Sequence, residues 1–175
     1  MSTEQTTHIH IRPATPDDVN TIQELILALA EYEKLTHMVK STPEMLHTQL
    51  FGPRPAAEAV IAEIQDQQQQ VHRVGFALFF PNFSTFLAQP GLYLEDLFVL
   101  PQWRGYGIGK ALLQHLASIA VERNYGRFEW SVLDWNQPAI DFYHAAGAQM
   151  MQEWRICRVT GEALQTLAKG FPAAK

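Results

Sequence analysis

Residues 104–110 read RGYGIGK, between the apolar run LYLEDLFVL (92–100) and the helical stretch ALLQHLASIAVERN (111–124). Glycines at 105, 107 and 109 followed by Lys110 describe a loop shaped for a phosphate. A P-loop needs G-x-x-x-x-G-K followed by Ser or Thr, so that a hydroxyl can hold magnesium. Here the first position is Arg104 and the residue after Lys110 is Ala111, so both ends fail. A dinucleotide fingerprint needs G-x-G-x-x-G at the first strand-to-helix turn of its domain. The spacing here is G-x-G-x-G and lies past the middle of the chain, so that fails as well. What fits is Arg-x-x-Gly-x-Gly, met by Arg104, Gly107 and Gly109, with Gly105 in addition. A turn without β-carbons lets successive N–H groups converge on a diphosphate, and the next helix adds the free N–H groups of its first turn. A tight turn alone usually needs one glycine.

The rest of the chain reads as alternating strands and helices. HIHIR (8–12) alternates like a short strand, and PATPDDVN (13–20) opens a helix with Thr15 as cap, Pro16 in the first turn and Asp17 and Asp18 at the positive end of the dipole. Val19, Ile22, Leu25, Ile26 and Leu29 follow at helical spacing. STPEML (41–46) starts a second helix, which Gly52 stops. Strands are expected at 59–64, 72–80 and 91–99, with Gln67–Gln70 as an exposed hairpin turn and PNFSTFLAQPG (81–91) as a loop. After the glycine loop a helix runs from about Ile108 to Arg123, burying Leu112, Leu113, Leu116, Ile119 and Ala120. GRFEWSVLDW (126–135) reads as a strand, QPAIDFYHAAG as a helix closed by Gly147, 151–159 as a last strand and TGEALQTLAKG (160–170) as a final helical turn or two. The order βααβββαβαβ describes one mixed α/β layer structure over residues 1–175, a single domain by length.

Composition removes several classes of function. Hydrophobic residues make up 47% and charged residues 18%, ordinary for a globular protein. No stretch approaches the ~20 apolar residues of a membrane span. MSTEQTTHIH (1–10) has neither the basic start nor the apolar run of a secretory signal, and a cytoplasmic location is expected. The one cysteine, Cys157, excludes an internal disulfide framework, fits a reducing cytosol, and is expected as buried packing in its strand. A net charge of −5 argues against nucleic acid as partner. Seven histidines are scattered without ligand spacing, no H-E-x-x-H exists, and no metal site is expected. A G-x-S-x-G elbow is absent.

On these motifs the chain resembles the GNAT superfamily of N-acetyltransferases, and within it the diamine, or spermidine/spermine, acetyltransferase family. IRPAT (11–15), YLEDLFV (93–99), RGYGIG (104–109) and WNQPAIDFYHAAGA (135–148) stand in that family's order and approximate spacing. The resemblance implies a GNAT fold: a mixed twisted sheet, splayed at an acetyl-CoA cleft, with helices on both faces. Main-chain groups of Leu97, Phe98 and Val99 would meet the acetyl-pantetheine arm. Arg104, Gly105, Tyr106, Gly107, Ile108, Gly109 and Lys110 would hold the pyrophosphate. Asn136, Gln137, Pro138 and Ala139 would line the CoA arm, and Tyr143 would stand beside its sulfur. It further implies acetyl transfer within a ternary complex, from acetyl-CoA as co-substrate to a primary amine, by a homodimer whose last strands pair between subunits; WRICRV (154–159) is consistent with such an edge.

Amine acetylation needs an acyl thioester, a neutral amine, a polarised carbonyl and a proton for the departing thiolate. Glu95 and Asp96 lie inside an apolar strand, and consecutive strand residues face opposite sides, so at least one acid points inward unless the strand bulges. From the residues alone, such an acid is as readily a structural carboxylate satisfied by an arginine or an N–H group. With the resemblance, Glu95 becomes the candidate that binds the amine and draws off its proton, with Asp96 as the second. Tyr143 alone reads as an amphipathic core residue beside Phe142; with the resemblance it becomes the donor to the thiolate, a phenol of ordinary pKa near 10 being matched to that task. Tyr32, Glu33, Glu129, Trp130 and Glu153 complete the candidate acceptor site. FFPNFSTFLAQPG (79–91), EWSVLDW (129–135) and HAAGAQMMQEW (144–154) depart from the polyamine enzymes, leaving spermidine, a thia-lysine, another short amine or a small amino acid derivative as acceptors. Two rivals remain: a non-catalytic acyl-CoA sensor, and an acetyltransferase of protein lysines or N-termini.

Overall fold

The computed structural model describes residues 8–170, so the reading of the first residues as lacking a secretory signal lies largely outside it. The chain divides into two compact units, Met1–Ser131 and Val132–Lys175.

The first unit is built on a five-stranded sheet in the order β1-β2-β3-β4-β5. Its strands are β1 (Ile9–Pro13), β2 (Glu58–Gln65), β3 (Val71–Ser84), β4 (Gln89–Val99) and β5 (Phe128–Trp130). The first four pair antiparallel and β5 joins β4 parallel. Helices α1 (Val19–Tyr32) and α2 (Pro43–Phe51) cover one face. There Ile22 and Leu25 of α1 and Leu50 of α2 pack on Ile61, Phe76 and Phe98, which stand in one cross-strand row. Helix α3 (Ile108–Glu122) packs on the sheet with Ile108, Leu112 and Leu116 fully buried. The buried strand residues Val60 and Ala77, one step from Ile61 and Phe76, point to the opposite face from that row.

Local chemistry explains most boundaries. Thr42 Oγ1 accepts from Met45 N–H, Pro43 sits in the first turn, and the Gly52 N–H closes α2 on the Thr48 carbonyl. Asp66 turns the β2–β3 hairpin: its carboxylate accepts from the N–H groups of Gln68 and Gln70, while Gln69 takes φ 64°. Asp18 reaches furthest. It is completely buried, accepts from Thr15 N–H at 2.8 Å, and meets Arg12 Nη1 at 2.6 Å and Arg73 Nε at 3.3 Å. Arg12 also reaches Glu63 at 2.7 Å, so strand β1, the entry to α1 and strands β2 and β3 are tied at one point. The motif IRPAT is therefore a structural clasp. The Arg12 guanidinium holds the Asp18 carboxyl far below the usual carboxylate range.

In the second unit α4 (Gln137–Ala145) is capped by Asn136, whose side chain accepts from Ala139 N–H, and ends at Gly147 with φ 92°. Helix α5 (Gly161–Lys169) matches the expected terminal turn.

Four expectations change. Pro81–Ser84 and Gln89–Gly91 are strand, not loop, because β3 and β4 continue pairing until a turn at residues 85–88. The strand expected over 126–135 shortens to Phe128–Trp130, since β4 supplies partners only at Leu92–Leu94. Residues 151–159 form no strand among the described residues; the apolar composition is there, but no ladder partner is. Cys157, expected buried within that strand, is accordingly exposed.

Candidate functional site

The glycine loop joins β4 to α3 in the manner a phosphate site needs. Gly105 and Gly107 take φ 86° and 83°, the left-handed region, and a β-carbon on either would meet nothing within 4 Å. Glycine is required here by backbone conformation, and the concave side is left open to a ligand. Gly107 is the N-cap of α3 and supplies no side-chain cap, while the first N–H to bond back along the helix is that of Ala111, to the Gly107 carbonyl at 2.9 Å. The N–H groups of Ile108, Gly109 and Lys110 thus have no partner within their helix. An uncapped N-terminus of a 15-residue helix, bordered by two left-handed glycines, fits an anionic diphosphate.

Strand β4 opens beside this loop. Leu78 pairs with Asp96 and Phe79 with Leu94, so Glu95 is the extra residue of a β-bulge. β5 pairs with β4 only at Leu92, Tyr93 and Leu94. From the bulge to Val99 the β5 side of β4 carries no strand among the described residues, and the main chain of Leu97, Phe98 and Val99 runs along that open edge.

The bulge also decides which acid is exposed. Glu95 faces solvent, whereas Asp96 is half-buried opposite Leu78, on the face covered by α1. Burial first, then the charges of Glu95 and Glu33, push the Asp96 carboxyl up to about 6. Glu33 is the C-terminal cap of α1, and burial raises its carboxyl too. No base stands in the last turn of α1, so the negative end of the dipole adds to the field. Among the described residues the side-chain carboxylates of Glu33, Glu95 and Asp96 have no hydrogen bond or ion pair. Their arrangement is a place for a cation.

Arg104 does not supply that cation. Its Nε donates to the Val99 carbonyl at 3.1 Å, and its guanidinium lies 4.5 Å from the Tyr32 ring centre and 5.4 Å from that of Phe98. Tyr32, a candidate for the acceptor site, is thus in contact with the first residue of the glycine motif. Tyr106 is exposed and its ring lies 6.1 Å from that of Trp103. Lys110 is exposed on the first turn of α3. Glu129 accepts from Asn82 Nδ2 at 2.8 Å and meets Arg127 Nε at 3.0 Å, so its charge is already balanced. Trp130 pairs with Leu94, one residue before the bulge, and its ring lies 4.9 Å from that of Phe128, tilted by 60°.

In the second unit Asn136 and Pro138 set the first turn of α4, and Gln137 Nε2 donates to Asp141 at 2.7 Å. Tyr143 lies one turn along the same helix from Ala139, with its ring 5.3 Å from that of Phe142. Glu153 is exposed in irregular chain. The adjacent acids 95 and 96 were the available signal for the acid cluster, but alternation alone does not say which turns inward. The Arg104–Tyr32 contact, 72 residues apart in sequence, left no sequence signal. Among the described residues no group of three or more His, Cys, Asp or Glu side chains is placed to hold a metal, and no helix is long and apolar enough to cross a membrane.

Comparison with known proteins agrees with this geometry. Residues 22–148 match the model of the acetyltransferase (GNAT) family. The chain is similar to an L-ornithine N5-acetyltransferase of Arabidopsis thaliana, 38% identical across 91% of this chain and 87% of that protein. A thialysine N-epsilon-acetyltransferase of Mus musculus is 38% identical across 90% of this chain and 96% of its own length. Among solved structures, an integron cassette protein from the mobile metagenome of V. cholerae superposes with a TM-score of 0.73 at 26% identity, covering 93% of this chain and 98% of that one.

Proposed function

The chain belongs to the acetyltransferase (GNAT) family, and from that premise we propose that it transfers the acetyl group of acetyl-CoA directly to the terminal primary amine of a small cationic molecule, a short basic amino acid or a diamine. The observation that carries the acceptor class is the acid cluster: Glu33, Glu95 and Asp96 gather at the negative end of α1 with no ion pair among the described residues. A bound ammonium group supplies the missing counter-charge, and a neutral or acidic acceptor does not. Names of the relatives, which act on ornithine and thialysine, support the same class. The family model runs across the boundary between the two units, which supports one working domain.

When bound, acetyl-CoA supplies the acyl thioester. The N–H groups from Gly105 to Lys110 hold its pyrophosphate and the open edge at Leu97–Val99 takes the pantetheine amides; the resemblance alone assigns Asn136–Ala139 a part in holding CoA. Glu95 and Asp96 receive the acceptor as its ammonium and lower the cost of bringing it in. The proton leaves to Asp96, whose carboxyl burial pushes up to about 6, a base suited to conditions near neutrality. The sequence favoured Glu95 for this role; burial transfers the emphasis to its neighbour. Tyr143 returns a proton to the departing thiolate. We assign the enzyme to the cytoplasm from its single cysteine, and to a homodimer because the family resemblance implies one.

The test is CoA thiol release across ornithine, thialysine, putrescine, spermidine, lysine and a lysine peptide, with wild type and Tyr143→Phe. Release with the small amines, at least tenfold above the peptide, and a fall of about 10²–10⁴ in the variant are expected. Tight CoA binding with no release for any amine would replace this reading with the sensor.

A further inference from the structure

Arg104 is the first residue of the glycine motif, yet its side chain turns away from the loop. Its backbone closes the single turn Pro101–Trp103, with its N–H on the Pro101 carbonyl at 3.2 Å, and leads directly into the left-handed Gly105. Its side chain is held at two points. Nε donates to the carbonyl of Val99, on the open edge of β4. The guanidinium carbon lies over the ring of Tyr32, the last residue of α1, and near that of Phe98. Glu33 follows Tyr32 directly, and Asp96 shares the face of Phe98 two residues along the strand. Despite three carboxylates at that end of the sheet, Arg104 forms no ion pair among the described residues. A cation that ignores nearby acids in favour of a ring and a carbonyl leaves the acids uncompensated and serves another purpose.

We propose that Arg104 is a positioning residue that couples occupancy of the glycine loop to the geometry of the amine subsite, through its cation–π contact with Tyr32. This rests on the acetyltransferase reading and deepens it. A ligand that fixes the N–H groups of 105–110 fixes the Arg104 backbone. The guanidinium, held by Val99, then restrains Tyr32 and with it the end of α1 that carries Glu33. Restraint made once by CoA need not be made again by the amine, so each ligand tightens the other, and by linkage the two effects are equal. The contact spans roughly a two- to thirty-fold effect, the range of a cation–π interaction between exposed and desolvated settings.

Titration calorimetry with CoA, which carries no acyl group and permits no turnover, and with L-ornithine and putrescine measures the ratio of the amine Kd without CoA to that with saturating CoA. Wild type should give a ratio within that range for the amine it acetylates. Tyr32→Phe keeps the ring face and keeps the ratio. Tyr32→Leu and Arg104→Met bring it close to one, whatever they do to either affinity alone or to Tm. A contact that only supports the fold would lower Tm and leave the ratio unchanged. A wild-type ratio of one, or a ratio preserved in Tyr32→Leu, overturns the coupling while leaving the acetyltransferase reading intact. Failure of wild type to bind CoA at all would instead remove that reading, and the coupling with it.

Discussion

Replacing Asp96 by asparagine should stabilise the protein at pH 8 and damage the enzyme. The carboxyl rises from its ordinary 3.8 to about 6, chiefly by burial. An acid whose folded-state pKa lies above its unfolded value is penalised in its charged form. Below pH 3.8 both states are protonated and nothing is lost; the penalty grows between 3.8 and about 6, and is complete above that. At 1.36 kcal/mol per pH unit this is about 3 kcal/mol, which partial solvent contact trims to about 2 kcal/mol. Asp96→Asn removes the charge without changing shape, so urea unfolding at pH 8 should show a gain of about 2 kcal/mol, near 4–8 °C in Tm for a chain of this size. At pH 4 the gain should nearly vanish. Amine affinity in wild type should climb between pH 5 and 7 as Asp96 ionises, and the variant should lose that climb together with most of its kcat/KM. An equal effect on stability at both pH values, or destabilisation at pH 8, would refute the claim that this carboxylate is buried without a partner.

Asp18→Ala leaves Arg12 and Arg73 beside an empty, fully buried position and should cost about 3–5 kcal/mol, read by urea unfolding at pH 7. Because Arg12 holds the Asp18 carboxyl low, its stabilisation is present above the unfolded value near 3.9 and is lost only as pH falls below it. The loss in the variant should therefore shrink on acidification, opposite in sign to the behaviour of Asp96→Asn. Gly107→Ala meets no protein atom but forces a side chain into the left-handed region, costing about 1–2 kcal/mol. CoA affinity, measured by calorimetry, should fall by more than that strain alone accounts for if the loop holds the pyrophosphate.

Much of the molecule is determined within a few residues of chain. Thr42 with Pro43, Asp66 with Gln69, and Asn136 with Pro138 and Gly147 each satisfy a local hydrogen-bond or dihedral requirement, and the helices and turns they bound stand where the sequence puts them. The glycine loop belongs to this class, because left-handed backbone at 105 and 107 is a property of glycine itself. Strand lengths are another matter. β3 and β4 run on through residues that look like loop because each finds its partner across the hairpin, and 151–159 is no strand because no partner stands there among the described residues. The chemistry of the acid pair depends on a single unpaired residue: the bulge at Glu95 turns Asp96 toward α1 and Glu95 to water. Adjacent, identical charges carry no information about such a register shift. Nor could the chain announce that Asp18 meets Arg73, or that Arg104 rests on Tyr32. Those pairings are decided by which strands lie side by side, and only folding brings them within reach.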